Sequence, residues 1–101
     1  MIDLKGAQKR VYQNKLNQNF NTTDVYMELC YIHGELAEVL DAYANRKGTV
    51  GEELADVAIY LLGLAEILGV DLEAEVLRKM EINEKRRYTK VDGVNVRVSD
   101  V

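Results

Sequence analysis

The chain has 101 residues, 48% of them apolar and 30% charged, with a formal net charge of −4. This length suits one compact domain over residues 1–101, with enough apolar residues for a core and enough charges for a soluble surface. Proline is absent, and the aromatic residues are six tyrosines, one phenylalanine and no tryptophan. This composition favours long, unbroken helices over a β-sandwich with many turns.

The cysteine content and one apolar segment limit the compartment. Cys30 is the single cysteine, so no internal disulfide forms, and the N-terminus lacks a signal-peptide pattern. Both features predict a reducing cytoplasm. Residues 54–70 are strongly apolar, but Asp56 and Glu66 interrupt them, and the segment is marginal in length for a membrane span. We therefore interpret it as a core helix and expect no membrane partner.

Charge is divided unevenly along the chain. Residues 28–75 hold eleven acids and two bases, whereas residues 76–97 hold seven bases and three acids. The acidic middle repels a nucleic-acid backbone and attracts cations, so no nucleic acid polymer is expected as a partner, while the basic end suits an anion. Two solvated faces would give the same charge counts, so the counts alone leave both interpretations open.

The first two helices are predicted from apolar spacing. Within residues 3–18, apolar residues recur near helical spacing, from Leu4 to Leu16. The segment NQNFNTTD is rich in Asn and Thr and should end this helix. Thr23 or Asp24 can cap a second helix, which runs to about residue 45.

The third and fourth helices have clear start and stop signals. The segment RKGTVG is a loop, in which Thr49 precedes Glu52 by three residues. This spacing predicts a capping box that opens the third helix. Gly69 ends that helix, and Asp71 caps a fourth helix, which runs to about residue 87.

These elements predict an all-α fold, a four-helix bundle with a short irregular or hairpin-like C-terminal tail. In that tail, TKVDGVNVRVSDV, a turn signal at Asp92-Gly93 lies between β-prone runs. The helices form two antiparallel pairs, but the third is apolar almost all round and must be covered on several sides. We therefore expect oligomerisation to complete the bundle, as a homodimer or homotetramer.

Two pairs of acids lie in the second and third helices. Glu35 and Glu38 are three residues apart, as are Glu53 and Asp56, so each pair shares one helix face. Four residues after each acid the chain has an apolar residue or a tyrosine and no cation. Packing of the two helices brings the pairs face to face in apolar surroundings, where a buried carboxylate such as Asp56 needs a compensating charge. Such oxygen ligands suit Mg²⁺ first and Mn²⁺ second, although a single ExxE pair is usually a solvated face.

The segments that carry these acids resemble a known family. GELAEVLDAY and, beyond the connecting loop, EELADVAIYLLGLAEILGVDL resemble the E-x-x-E and E-x-x-D metal-binding helices of the MazG-like all-α nucleoside triphosphate pyrophosphohydrolases. KMEINEKRRY resembles the last helix of that family, where a Lys, an Asn and an Arg recur at this spacing. The likeness covers about residues 11–88, the expected domain core, and is specific over residues 35–86.

The resemblance implies an enzyme. Family members hydrolyse (d)NTPs between the α and β phosphates to give (d)NMP and pyrophosphate, and a role in nucleotide-pool sanitation is expected. By this resemblance, four acids hold Mg²⁺ and form the catalytic centre: Glu35, Glu38, Glu53 and Asp56. One of them acts as general base towards water, and Glu38 is favoured for this role.

The resemblance also implies a phosphate-binding stripe on the last helix. Lys79, Asn83 and Arg86 would approach the phosphates or order the site. A solvated helix C-terminus has basic residues of the same kind, because they interact favourably with the helix dipole. Gly34 stands where many family members carry a further glutamate, so the accessory carboxylate is absent.

Two rival functions and several single residues complete the predictions. A non-catalytic helical interaction module would use the acids for a structural ion, and a different Mg²⁺ phosphohydrolase would release orthophosphate. His33 is expected at the surface or in helix packing, and Cys30 in the core. Phe20 is a candidate for stacking on a nucleobase. Packing roles are expected for three tyrosines: Tyr26, Tyr43 and Tyr60.

Overall fold

The computed structural model describes residues 2–99, so Met1 and the last two residues of the predicted tail, Asp100 and Val101, lie outside the described residues. The elements are α1 Leu4–Asn17, α2 Val25–Ala44, α3 Val50–Leu68, α4 Leu72–Lys85, β1 Arg87–Val91 and β2 Val94–Ser99. The predicted all-α class and its four helices are confirmed. Within residues 2–99, no helix has both the length and the apolar character that crossing a membrane requires.

Aspartates begin three of the helices. The side chains of Asp3, Asp24 and Asp71 accept hydrogen bonds from backbone N–H groups in the first turns of α1, α2 and α4. At α3 the predicted capping box is wrong, because the Thr49 side chain makes no cap hydrogen bond. Thr49 has φ −114° and ψ 13°, outside the extended conformation of the three aspartates, and it contributes only its backbone carbonyl, which accepts from Glu53 N at 3.0 Å.

The centre of the fold is α3, which packs against both α2 and α1. The predicted arrangement of two separate helix pairs is therefore replaced by one helix shared between two neighbours. Close approach of α1 depends on Gly63, since a Cβ at this position would lie 2.8 Å from Lys15 Cε. Among the described residues, the buried apolar side chains are three alanines and three larger aliphatic residues: Ala7, Ala42, Ala65, Ile32, Leu62 and Leu64.

A buried glutamine ties α1 to the corner between α3 and α4. Gln8 Nε2 donates to the Val70 carbonyl at 2.7 Å, and Gln8 Oε1 accepts from Leu72 N at 3.4 Å. The corner begins at Gly69, whose φ of 69° is in the left-handed region that favours glycine. Because α4 also packs against α1, one amide side chain helps to set the direction in which α4 leaves the bundle.

Large parts of the helices are exposed in the single chain. The radius of gyration is 16.8 Å, whereas a compact chain of about 100 residues has about 13 Å. The first half of α3 is poorly covered: Leu54 and Asp56 are both exposed. The prediction that Asp56 lies in a dry setting is wrong for one chain, because the buried residues of α3 are confined to 62–65.

Several single residues also lie at the surface. Cys30 is exposed, so its predicted core position is wrong. Tyr26 and Tyr43 are exposed and do not have the packing role expected of them within one chain. His33 is exposed, in agreement with a surface position.

β1 and β2 form an antiparallel hairpin, the second of the two alternatives for the tail, with an irregularity of register between Arg87 and Tyr88. Tyr88 pairs with Arg97, Lys90 with Asn95, and Val91 with Val94. Both turn residues have positive φ, 51° at Asp92 and 79° at Gly93. This is the pattern of a type I′ turn, which Asp-Gly favours.

Candidate metal centre

Three carboxylates meet where α2 packs against α3. Glu35 projects from α2, and Glu53 and Asp56 project from the first half of α3. One oxygen from each carboxylate lies within 4.8 Å of those of the other two. Glu53 and Asp56 share a face because they are three residues apart. The structure therefore brings together three of the four predicted acids, one from α2 and two from α3.

The fourth acid, Glu38, lies beside this group. Its side chain is exposed, and it is not among the three carboxylates that converge. Its charge nevertheless acts on Glu35. Glu38 is thus close enough to influence the site, without occupying the same point as the other three acids.

The site has an excess of negative charge. Partial burial raises the pKa of Glu35 above its ordinary value of 4.5, and the charges of Asp56, Glu53 and Glu38 raise it further, in that order. Within residues 2–99, no ion pair joins a base to the three converging acids. A group of carboxylate oxygens with no bound base suits a hard divalent cation such as Mg²⁺.

The nearby base, Lys47, is bound elsewhere. Its ammonium group pairs with the Asp41 carboxylate. This hydrogen bond raises the pKa of Lys47, with smaller effects from Glu38 and Glu53, and it holds the pKa of Asp41 below its ordinary range. Lys47 therefore stands at the edge of the acidic site and forms its ion pair with Asp41 and not with the three converging acids.

The predicted phosphate-binding stripe lies on a different part of the bundle. Lys79 and Asn83 are exposed on α4, and Arg86 follows that helix directly. Arg86 Nη1 donates to Asn83 Oδ1 at 3.0 Å, so these two side chains are held together. The acids lie on α2 and α3, whereas α4 packs against α1. The role of this stripe in binding the phosphates therefore stays a prediction.

A cleft that the sequence did not indicate opens between α1, α2 and α3. Its volume is about 530 Å³, and its lining includes Phe20, Tyr31 and Tyr60. At its wall, the Lys15 ammonium pairs with Glu28 Oε1. Asn21 Nδ2 donates to Glu28 Oε2 at 3.0 Å. The Glu28 side chain is 0% exposed, so a fully buried carboxylate is neutralised by one lysine and hydrogen-bonded by one amide.

Tyr60 connects the cleft with the acidic site. The ring of Tyr31 meets it edge-on, with centroids 6.0 Å apart, and the Lys15 ammonium lies 5.5 Å from its centroid. Burial raises the pKa of the Tyr60 hydroxyl, as do the charges of Glu35 and Glu28 and, to a smaller extent, Tyr31 and Asp56. Tyr60 does pack as predicted, but it also lies within reach of the charges of both sites.

The sequence shows on which face of α2 Glu28 lies, but it does not show that Glu28 is buried. Glu28 lies seven residues before Glu35, two helical turns along the same face of α2. Lys15 stands near the end of α1, where a basic residue is normally solvated. Only the folded chain shows that these two charges meet inside the protein.

The structure thus shows four helices in which acids converge from two adjacent helices, and no base within residues 2–99 forms an ion pair with the three converging acids. Comparison with families makes this specific. A model of the MazG-like family matches residues 27–101, a segment that includes all four predicted acids. The chain therefore belongs to the MazG-like family.

Two curated proteins are similar over part of the chain. A dATP/dGTP diphosphohydrolase of Salmonella phage PMBT28 is 45% identical over 49 residues, which are 48% of this chain and 17% of that protein. The dCTP pyrophosphatase 1 of Homo sapiens is 50% identical over 44 residues, which are 44% of this chain and 25% of that protein. The chain thus matches a quarter or less of the length of these relatives. No solved structure shows a significant match.

Proposed function

We propose that this chain hydrolyses nucleoside triphosphates, deoxynucleotides included, between the α and β phosphates to give a nucleoside monophosphate and pyrophosphate. The convergence of Glu35, Glu53 and Asp56 within 4.8 Å, with no ion pair to any of them from a base within residues 2–99, carries this proposal. The names of the two relatives, each an enzyme that acts on a deoxynucleoside triphosphate, support it. A role in sanitation of the nucleotide pool, in the cytoplasm, is part of the same proposal.

The three converging acids would hold Mg²⁺, with Mn²⁺ as a substitute. When bound, the ion offsets the negative charge of the acids and the triphosphate, and it acidifies a coordinated water. Glu38 is the acid best suited to accept a proton from the attacking water, because it stands beside the other three and is exposed to solvent. Glu35, Glu53 and Asp56 would hold the ion beside that base.

The cleft beside Tyr60 would receive the nucleobase. Phe20 is 57% exposed and lines the cleft, so its ring is free to stack on a base, as the sequence suggested. Asn14 and Asn19 also line the cleft and bring amide donors and acceptors to it. Because Tyr60 lies within the electrostatic reach of Glu35, a base in the cleft would leave its phosphates near the acids.

The phosphate-binding stripe would reach the site through a second copy of the chain. Lys79, Asn83 and Arg86 belong to α4 and its end, and α4 packs against α1. The same helix exposes Val76, Leu77 and Met80, an apolar surface that a homodimer or homotetramer would cover. We propose that α4 of a neighbouring copy supplies these donors to the leaving pyrophosphate.

A product-resolved assay tests the proposal. The protein is incubated with each normal and damaged dNTP and Mg²⁺, and pyrophosphate and orthophosphate are measured separately. We expect pyrophosphate and a monophosphate. Orthophosphate as the first product would assign a different phosphohydrolase, and a folded sample that turns over no nucleotide would assign a non-catalytic module with a structural ion.

Variants identify the acids that do the work. Glu53→Gln and Asp56→Asn should each lower kcat at least about 100-fold while the helical content is unchanged. Glu52→Gln is the matched control, because Glu52 is adjacent in sequence but is not one of the converging acids. Activity near the wild-type level in either test variant would remove the basis for the metal assignment.

A further inference from the structure

The loop between α1 and α2, residues 18–24, is fastened to a buried ion pair. The side chains of this pair are 8% exposed at Lys15 and 0% exposed at Glu28. Asn21, in the loop, bonds to both of them: its carbonyl accepts from the Lys15 ammonium at 3.4 Å, and its Nδ2 donates to Glu28 Oε2 at 3.0 Å. The proposed reaction uses neither charge, so the pair has a role that the reaction does not explain.

Stability alone does not account for a charged pair at this position. Removing two charges from water has a desolvation cost, and replacing a buried ion pair by apolar side chains of similar volume is often neutral or stabilising. The aliphatic part of Lys15 already lies beside Gly63 of α3, so an apolar side chain would fill the same space. An apolar pair, however, would offer the Asn21 amide no acceptor. The charged pair is therefore suited to holding the loop.

The same loop carries two residues that line the cleft, Asn19 and Phe20. Asn19 has a φ of 59°, the left-handed conformation in which helices often end, and Phe20 N donates to the Lys15 carbonyl at 2.8 Å. On the other side of Phe20, Asn21 Oδ1 accepts from the backbone N–H of Asp24 at 3.0 Å, and Asp24 caps α2. Phe20 therefore lies between the end of α1 and Asn21, and the position of its ring depends on both.

The ion pair also leaves the cleft without net charge. Among the described residues of its lining, Lys15 and Glu28 are the charged ones, and they neutralise each other. The rest of the lining is aromatic, aliphatic or amide. Such a lining is suited to an uncharged aromatic ring and not to a phosphate. The part of a nucleotide that fits this description is its base.

We propose that Glu28 and Asn21 are positioning residues for nucleobase binding. Through Asn21, the buried carboxylate holds the α1–α2 loop in the conformation that keeps Phe20 at the cleft, while Lys15 neutralises the carboxylate. Neither positioning residue acts on the phosphates, so loss of their hydrogen bond should weaken substrate binding without slowing the chemical step. This proposal rests on the assignment of the cleft to the nucleobase, and one of its tests does not need turnover.

Two double variants separate the hydrogen bond to Asn21 from the ion pair. Lys15→Met combined with Glu28→Met removes both side-chain partners of Asn21, whereas Lys15→Met combined with Glu28→Gln keeps an acceptor for its amide. With the dNTP that the wild-type protein hydrolyses best, KM should rise at least about tenfold in the first variant and less than about threefold in the second. In both variants kcat should stay within about threefold of wild type. Equal KM values in the two variants, or a fall in kcat without a rise in KM, would overturn the proposal.

A single variant tests the same hydrogen bond from the side of the loop, and it applies even if the first double variant does not fold. Asn21→Ala leaves Lys15 paired with Glu28, and it should raise KM at least about tenfold with kcat within about threefold of wild type. The control is Lys5→Met, which removes a surface ion pair from the same helix and should leave both constants unchanged. An unchanged KM in Asn21→Ala would overturn the proposal.

NMR spectroscopy measures binding to the cleft without turnover. Metal-free ¹⁵N-labelled protein in EDTA is titrated with each of the four common deoxynucleosides, which have no phosphate for the acids to repel. At least one should shift the backbone amide signals of Phe20 and Asn21, and Asn21→Ala should weaken that binding at least about tenfold. If none shifts these signals, the proposal is wrong even for a protein that hydrolyses dNTPs. If the wild-type protein binds a deoxynucleoside more tightly than Asn21→Ala but hydrolyses no triphosphate, the positioning role is supported and the proposed enzymatic activity is wrong.

Discussion

The buried pair of Lys15 and Glu28 allows a quantitative prediction. Glu28 is 0% exposed, and it has two polar partners, the Lys15 ammonium and the amide of Asn21. Lys15→Met retains an unbranched apolar side chain but removes the charge. The carboxylate is then left inside the protein with one amide donor, which is the arrangement that costs most when a buried pair is broken.

The size of the effect follows from the chemistry of a glutamate. The variant can avoid a buried negative charge by taking up a proton, and protonating an ordinary glutamate costs about 1.4 kcal/mol for each pH unit above about 4.3. At pH 7 this limits the loss of unfolding free energy to about 3.7 kcal/mol, and at pH 5 to about 1 kcal/mol. The sign follows from proton binding: the folded variant binds a proton that the unfolded chain does not, so its stability rises as the pH falls.

Urea unfolding followed by circular dichroism, at one protein concentration and at several pH values from 5 to 8, measures this effect. Lys15→Met combined with Glu28→Gln should recover most of the stability at pH 7, because glutamine still accepts a hydrogen bond from Asn21 and has no charge. Lys5→Met is the control. Lys5 pairs with Asp71 at 3.7 Å on the surface, and its loss should cost no more than about 1 kcal/mol. A penalty for Lys15→Met that is the same at pH 5 and pH 7, or a double variant no more stable than the single one, would refute the reasoning.

Three further predictions follow from the acids and glycines. Because the pKa of Glu35 is raised in the folded protein, its contribution to the stability of the metal-free protein is most favourable below pH 4.5 and is lost as the pH rises through the raised pKa. Glu35→Gln should therefore stabilise the metal-free protein at pH 7, as measured by urea unfolding in EDTA. An unchanged or lower stability of this variant would contradict the repulsion between Glu35 and its acidic neighbours. Gly63→Ala should destabilise the fold by about 1–3 kcal/mol, because the new Cβ would lie 2.8 Å from Lys15 Cε. The control is Gly34→Ala, where the new Cβ would have no neighbouring atom within 4 Å. This control should stabilise α2 by up to about 1 kcal/mol. Mg²⁺ at about 100 times its dissociation constant should raise the unfolding free energy by about 2.7 kcal/mol, and Asp56→Asn should remove most of this gain; equal gains in the two proteins would place the ion elsewhere.

The helices were predictable from sequence because local chemistry sets their ends. Asp24 and Asp71 use their side chains as caps, and Gly69 adopts the left-handed conformation that a helix end requires. The Asp92-Gly93 turn has the same local character. Thr49 is the exception, because its backbone conformation, which the sequence does not reveal, keeps its side chain away from the cap.

The candidate site was predictable to the extent that helical spacing determines it. Glu53 and Asp56 share a face by spacing alone, and the short connection between α2 and α3 brings Glu35 to them. Glu38 is three residues from Glu35, the same spacing as that between Glu53 and Asp56, yet the packing leaves Glu38 to one side of the converging acids. The exposure of Asp56 could not be read from the sequence either, because apolar neighbours show that a helix needs cover and do not show which element provides it.

Long-range pairs lay beyond sequence reasoning. Lys15 and Glu28 belong to different helices, and each resembles a solvated residue when its own helix is considered alone. The direction of α4 depends in the same way on contacts with α1, made from residues more than sixty positions earlier in the chain. Spacing rules act over a few residues and contain no information on such pairs.

The amide of Gln8 has a consequence for the order of assembly. Its two bonds, to Val70 and Leu72, span 62 and 64 residues, whereas α2 and α3 are joined by a short loop and can pair early. We therefore expect the Gln8 end of α1 to be among the last parts of the bundle to dock, although Lys15 near the other end of α1 can pair with Glu28 early. Until the chain beyond residue 72 has left the ribosome, Gln8 has neither of these partners and stays in solvent.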